Sequence, residues 1–333
     1  MNKKNIKGLI IIAIGLIGII STLIANISFE NDFICIFFML LFVVLELFGL
    51  VNIVKNKYEY RWYMYRTAIK SALEYVRPFL IGRLFYENKY ITNDISTMMV
   101  LNKNGDILTT AKTADIFISC SEYNETYPSI LKEIKDSKPK NIKKIEEKYG
   151  ITKDTIVGMH NILIDIADNP GKLTVIKHPY LDMAIISIQN KEELLVENFP
   201  KFARKKLEPG DSICTLGFAF PEYKAFKYDE ENFKITSDFK LMNFPIFPTD
   251  GIMARNIADK NDNISMLEIS NLIVPGMEGG PILSKDGLVY GMIVGFSVIK
   301  DVGGLIRLGM GINNIEIMKF LDDNNIEYEV SNE

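Results

Sequence analysis

Two long apolar runs near the N-terminus constrain the fold of this 333-residue chain more than any other sequence feature. Residues 8–26 carry no charged side chain, and residues 33–54 carry only Glu46. Each run is close to the roughly 20 residues that a helix needs to cross a bilayer. We therefore predict two membrane-spanning helices within residues 1–56. A buried helical pair in a soluble domain is the alternative.

The charges around the two runs predict the orientation of this hairpin. Three lysines precede the first run, the connector 27–32 carries only acidic charges, and Lys55, Lys57, Arg61 and Arg66 follow the second run. Because basic residues concentrate in cytoplasmic loops, we expect a multi-pass protein of the cell membrane with its remaining domain in the cytoplasm. Residues 57–77 are rich in tyrosine and are expected to form a juxtamembrane helix.

Composition argues against two other classes of function. The net charge of -4 and the isoelectric point near 5.5 offer no basic surface for nucleic acid. Two histidines and three scattered cysteines, Cys35, Cys120 and Cys214, show no metal-ligand spacing and no disulfide framework. We therefore expect no metal, no cofactor and no nucleic-acid partner, and we expect the bilayer and a peptide or protein as partners.

From residue 78 onward the pattern changes to short apolar runs separated by turns. Such a pattern predicts many short strands, in two sets that divide near Lys206. A charged, helical insertion is predicted at about 121–170, with a helix that begins near Thr152. A final helix is predicted at 314–322, before a tail at 323–333. The fold class is therefore mostly β, with two six-stranded-type antiparallel β-barrels in residues 78–322.

The most informative stretch of the chain is residues 274–283, Val-Pro-Gly-Met-Glu-Gly-Gly-Pro-Ile-Leu. It resembles the nucleophile loop of trypsin-like serine proteases of the HtrA-like branch, Pro-Gly-x-Ser-Gly-Gly-Pro. Residues 105–112, Gly-Asp-Ile-Leu-Thr-Thr-Ala-Lys, resemble the segment that ends in the catalytic histidine. Residues 181–188 resemble the strand that carries the catalytic aspartate. In this chain the three catalytic positions are Lys112, Asp182 and Glu278.

The resemblance implies a trypsin-like fold in which these three positions meet between the barrels. It also implies that the backbone amides of Gly276 and Glu278 form the oxyanion hole. Glutamate has no nucleophilic hydroxyl, and a protonated lysine has no acceptor for a proton. We therefore predict an inactive homologue in which Lys112, Asp182 and Glu278 form an ionic network. Two alternatives are side chains turned to solvent and a Glu278 carboxylate seated in the oxyanion hole.

An inactive cleft can still bind peptides, because strand addition needs no nucleophile. The resemblance assigns that role to Val294, Gly295, Phe296 and Ser297. Two other functions stay open: an active membrane-bound peptidase with non-standard catalytic residues, and a membrane scaffold that uses the helical insertion. For an active enzyme, His160 or His178 are candidate shifted bases, and Ser270 and Ser284 flank the nucleophile loop.

Overall fold

The computed structural model describes most of the chain after residue 63. The described residues are 12, 14, 17, 20, 41–51, 64–86, 91–167, 172–189, 194–219, 226–237, 245–258, 264–301 and 304–332. The chain divides into two compact units, Met1–Arg66 and Thr67–Glu333.

In the first unit, residues 41–51 are helical. Most of the two predicted membrane spans, 8–26 and 33–54, lies outside the described residues. Among the helices that the structure describes, none is both long and apolar enough to cross a membrane. The predicted helix 57–77 is described only from residue 64, where it is limited to Arg66–Ala72 and gives way to a strand at Val76.

The second unit is built mostly from strands. The helices are α1 (Arg66–Ala72), α2 (Ala111–Asp136), α3 (Pro139–Tyr149) and α4 (Asn314–Asp323). The strands are β1 (Val76–Phe85), β2 (Ile91–Val100), β3 (Asp106–Thr109), β4 (Ile156–Leu163), β5 (Lys172–Lys177), β6 (Ala184–Gln189), β7 (Lys201–Phe202), β8 (Ser212–Thr215), β9 (Phe226–Asp229), β10 (Lys234–Ser237), β11 (Thr249–Ala258), β12 (Ile264–Ile269), β13 (Pro281–Leu283), β14 (Val289–Asp301), β15 (Gly304–Asn313) and β16 (Glu329–Val330).

The first sheet contains six antiparallel strands in the order β4-β1-β2-β3-β6-β5. Its longest pairing joins β1 to β2, from Val76 opposite Met99 to Leu84 opposite Ile91. Within the described ranges no pairing joins the end strands β4 and β5, so this sheet is a half-barrel.

The second sheet closes on itself. The order β13-β8-β11-β12-β15-β14 becomes a ring because β13 pairs with both β8 and β14. The short strands β7 and β16 extend the sheet through parallel pairing. The mostly β prediction is confirmed, with one closed six-stranded barrel and one half-barrel in place of two closed barrels. A two-stranded sheet of β9 and β10 is separate.

The helical insertion differs from its prediction. Helix α2 begins at Ala111 rather than near residue 121, and residues 156–163 form strand β4 rather than part of a helix that starts near Thr152. Ile156, Met159 and Leu163 match a helical spacing, but β-branched residues and Gly158 disfavour a helix. Pairing with β1 then satisfies the backbone of this segment as a strand.

Three buried strands position the motif residues. β3 and β13 are buried at every residue, and β6 is buried at four of its six positions. Because strands packed on both faces cannot shift without opening the core, the chain leaves them at defined points. The end of β3, the turn before β6 and the loop before β13 therefore hold their side chains in a fixed arrangement.

Candidate functional site

Lys112 lies in the first turn of α2, where the chain leaves β3. Thr110 caps this helix by accepting a hydrogen bond from Thr113 N at 3.2 Å. The Asp182 carboxylate provides a second cap, because its Oδ1 accepts a hydrogen bond from Lys112 N at 3.1 Å. The Lys112 ammonium lies 2.9 Å from the other oxygen of the same carboxylate. One carboxylate thus binds both the backbone and the side chain of residue 112.

This ion pair is solvent-exposed on the lysine side. The Lys112 side chain is 79% exposed and the Asp182 side chain 22% exposed. Water therefore screens the attraction, and the pair stabilises the fold only weakly. The predicted ionic network requires a buried ammonium group, whereas the Lys112 ammonium is exposed.

The turn that carries Asp182 is shaped by His178. Its Nδ1 accepts hydrogen bonds from Tyr180 N at 3.2 Å and Leu181 N at 2.9 Å. Its ring packs edge-on against Phe320 of α4, with ring centroids 5.2 Å apart. Burial lowers the pKa of His178, which favours the neutral ring that a Nδ1 acceptor requires. His178 thus positions the Asp182 turn, and its acceptor nitrogen is already used.

Glu278 turns its carboxylate back onto its own loop. Gly276 N donates a hydrogen bond of 2.7 Å to Glu278 Oε2. The resemblance assigns this amide to the oxyanion hole, so the carboxylate occupies a donor that would stabilise a reaction intermediate. Among the described residues no ion pair joins Glu278 to Lys112. The structure therefore contains two separate contacts, Lys112 with Asp182 and Glu278 with Gly276, rather than one network of three side chains.

The loop around Glu278 is held by β2 of the first sheet. Thr97 N donates to Glu278 O at 3.0 Å, and Ser96 Oγ donates to the same oxygen at 3.2 Å. The Thr97 hydroxyl donates to Gly276 O at 2.7 Å. These bonds join the half-barrel to the loop of the closed barrel. Sequence reasoning missed Ser96 and Thr97, because two polar residues in a strand give no signal of contacts 179 to 182 residues away.

The predicted peptide-binding segment lies on β14 next to this loop. Gly279 N donates to Ile293 O, and Ile293 N donates to Gly280 O, each at 2.8 Å. After Ile293, β15 continues to pair with one side of β14 as far as Asp301. In the described part of the chain, no strand pairs with the other side of residues 294–301. The segment 294–297 thus lies on an open strand edge, with Phe296 39% exposed.

The other candidate catalytic residues, His160, Ser270 and Ser284, make packing or backbone contacts within the fold. His160 lies on β4, where its ring packs edge-on against Phe226 with centroids 5.8 Å apart. Ser270 Oγ accepts a backbone N–H from β11 at 2.9 Å, and Ser284 Oγ accepts N–H groups of the turn after β13. None of these contacts points to a nucleophile or a base.

The described residues give no evidence of a metal site or of a reactive cysteine. Within these ranges no group of three or more histidine, cysteine, aspartate or glutamate side chains is arranged to hold a metal ion. Cys120 and Cys214 are free thiols, and burial raises the pKa of Cys214 to about 12. A thiol with so high a pKa is a poor nucleophile.

Comparison with known proteins finds similarity in structure. No family model and no curated protein matches the sequence. The active form of the Rv3671c protease from M. tuberculosis is 14% identical with a TM-score of 0.42, over 79% of this chain and 86% of that chain. The HtrA-type protease AlgW with a tripeptide is 14% identical with a TM-score of 0.43, over 79% of this chain and 64% of that chain. Each of these two solved structures is thus similar to this chain over 79% of its length.

Proposed function

We propose that this chain is a catalytically inactive homologue of trypsin-like proteases that binds an extended peptide segment. The observation that carries the proposal is the hydrogen bond from Gly276 N to the Glu278 carboxylate. A negative side chain at this amide repels the oxyanion that an active protease must stabilise. Beside this loop, one edge of β14 is unpaired over residues 294–301 in the described part of the chain.

Two of the three catalytic roles lack their chemical group at the motif position. A serine protease needs a hydroxyl nucleophile and a neutral imidazole that accepts its proton. Glu278 supplies a carboxylate instead of a hydroxyl. Lys112 supplies an ammonium, which has no lone pair and is paired with Asp182 at 2.9 Å. Hydrolysis by the triad mechanism is therefore excluded at these positions.

Peptide binding requires only the open edge of β14. Alternate backbone groups of residues 294–297 face an unpaired side of the strand, and a peptide can add there as a further strand. The affinity would come from main-chain hydrogen bonds, and the selectivity from side chains along the edge.

We further propose that the two apolar runs at 8–26 and 33–54 anchor the protein in the cell membrane, with the β domain on the cytoplasmic side. The support comes from the length of the runs and from the basic residues that flank them. Alkaline carbonate extraction of membranes, with protease digestion of sealed spheroplasts, tests this topology. Release by carbonate, or digestion of the β domain from outside the cell, contradicts the proposal.

The first experiment incubates the purified full-length chain with a proteome-derived peptide library. Mass spectrometry then measures cleaved and retained peptides separately. We expect retention without cleavage. Cleavage that is lost in Glu278→Ala but kept in the control Glu147→Ala, on the exposed face of α3, would establish an active peptidase instead. If peptides are neither cleaved nor retained, the peptide-binding proposal is wrong, and the helical segment 111–149 becomes the candidate partner site.

A second experiment tests strand addition itself. Alternate residues of a strand direct their backbone groups to opposite sides. A retained peptide N-methylated at one alternate set of positions should therefore lose binding, while methylation of the other set should leave it unchanged. Equal tolerance of both sets would show that the peptide does not bind as a strand.

A further inference from the structure

Arg307 on β15 is held in a fixed orientation by two contacts. Its guanidinium carbon lies 3.7 Å from the centroid of the Phe296 ring. Its Nη2 donates a hydrogen bond of 3.3 Å to Ile273 O. Stacking on an aromatic face leaves the edge of a guanidinium group free to donate hydrogen bonds. Because arginine has five N–H donors, the contact with Ile273 uses only one of them.

The charge of Arg307 is not neutralised by the described residues. Within these ranges no carboxylate lies at ion-pair distance from its guanidinium group, and the side chain is exposed. Glu268 lies on β12, opposite Met310 of β15, and it is bound to Arg255 and to Ser297 Oγ. Arg255 therefore has an acidic partner, whereas Arg307 has an aromatic ring and a carbonyl.

Arg307 lies on β15, and its side chain contacts both Phe296 on β14 and Ile273, which comes just before the loop 274–283. Ile273 precedes the loop glycine Gly276 by three residues. Phe296 follows Ile293, the residue bonded to Gly279, by three residues and belongs to the open edge. The open edge is on the side of β14 opposite to β15, so a peptide strand added there would reach the guanidinium group through a side chain on the face that carries the Phe296 ring.

We infer that Arg307 binds a carboxylate of the bound peptide and gives the open edge a preference for acidic ligands. This inference rests on the proposed peptide binding. An oriented guanidinium fork matches the geometry of a carboxylate and forms two parallel hydrogen bonds with it. The carboxylate can belong to an aspartate or glutamate side chain or to the C-terminus of the peptide. Both sources have the same chemistry.

The test uses position-scanning libraries of N-acetylated octapeptides, labelled with a fluorophore, and the full-length chain. One library set has an amidated C-terminus and carries Glu, Gln or Lys at each position in turn. The second set contains no acidic side chain and has either a free or an amidated C-terminus. Fluorescence anisotropy measures the binding constants. We expect Glu at one position, or the free C-terminus, to bind about fivefold to tenfold more tightly than its neutral counterpart.

Variants assign that preference to Arg307. Arg307→Gln should remove the preference while neutral peptides still bind, and Arg307→Glu should favour Lys at the same position. Arg204→Gln is the matched control, because Arg204 is also exposed and donates to a backbone carbonyl, Ser331 O, at 2.7 Å. It should keep the preference for acidic peptides.

The outcomes separate the two proposals. Equal binding of Glu and Gln peptides, or a preference that persists in Arg307→Gln, overturns the role of Arg307 and leaves peptide binding intact. If no library binds, the proposed function itself fails. Circular dichroism of each variant identifies any loss of binding that comes from misfolding.

Discussion

Gly279 has one of the two tightest contacts in the candidate site, and its substitution tests how the loop is held. Its φ is +90°, and a Cβ built on it would lie 2.0 Å from Thr97 O and 2.8 Å from Thr109 Oγ1. Close contacts between carbon and oxygen have separations of about 3.3 Å. Gly279→Ala must therefore move the loop away from β2 by about 1 Å.

The cost of this change follows from two effects. An alanine at positive φ costs about 1 to 2 kcal/mol. Displacement of the loop also breaks the hydrogen bonds Thr97 N to Glu278 O and Gly279 N to Ile293 O, each with a net contribution of about 1 kcal/mol. We expect Gly279→Ala to lower the free energy of unfolding by about 3 to 4 kcal/mol.

Gly150, at the end of α3, provides the matched control. It has φ +64°, and a Cβ built on it meets no atom within 4 Å. Gly150→Ala should therefore cost only the conformational contribution, about 1 to 2 kcal/mol. Urea unfolding of the full-length chain and both variants, followed by far-UV circular dichroism, measures the difference. Equal destabilisation by the two substitutions would refute the reasoning, because the contact with Thr97 would then contribute nothing.

Two further predictions concern the Asp182 turn. Asp182→Ala should lower the free energy of unfolding by about 1 to 2 kcal/mol, because α2 loses a cap. Asp182→Asn keeps an oxygen acceptor and Lys112→Ala removes only an exposed ion pair, so in urea unfolding each should cost less than about 1 kcal/mol. A larger loss of stability in Lys112→Ala than in Asp182→Ala would contradict the observed geometry. Burial lowers the pKa of His178 in the folded state, so below the ordinary histidine pKa of about 6.5 the unfolded state binds more protons than the folded state. The free energy of unfolding should therefore fall as the pH is lowered from about 7 towards 5, and His178 should not change it above about pH 7. His178→Asn keeps an acceptor for the turn but does not titrate, so thermal unfolding across this pH range should show a shallower slope, and an unchanged slope would mean that His178 is not responsible.

Much of the β domain could be predicted from short-range patterns. The final helix, predicted at 314–322, is observed as α4 at Asn314–Asp323, and the strand expected within residues 181–188 is observed as β6 at Ala184–Gln189. Strand β4 was predicted as a helix, since Ile156, Met159 and Leu163 fit a helical spacing. The competing interaction was pairing with β1, about 75 residues earlier in the chain. A local pattern contains no information about such a partner.

The sequence alone determined which chemical groups stand at the three motif positions. Lysine and glutamate lack the imidazole and the hydroxyl of a serine protease, and no arrangement of the chain can supply them at those positions. Which contacts these groups make was decided by the tertiary structure. Opposite charges suggested that Lys112 and Glu278 would pair, but Glu278 binds Gly276 N two residues away, and Lys112 binds the carboxylate that caps its own helix. The physical reason is that a carboxylate is stabilised by the nearest oriented donor, and the orientation of a backbone N–H exists only once the loop has folded against β2.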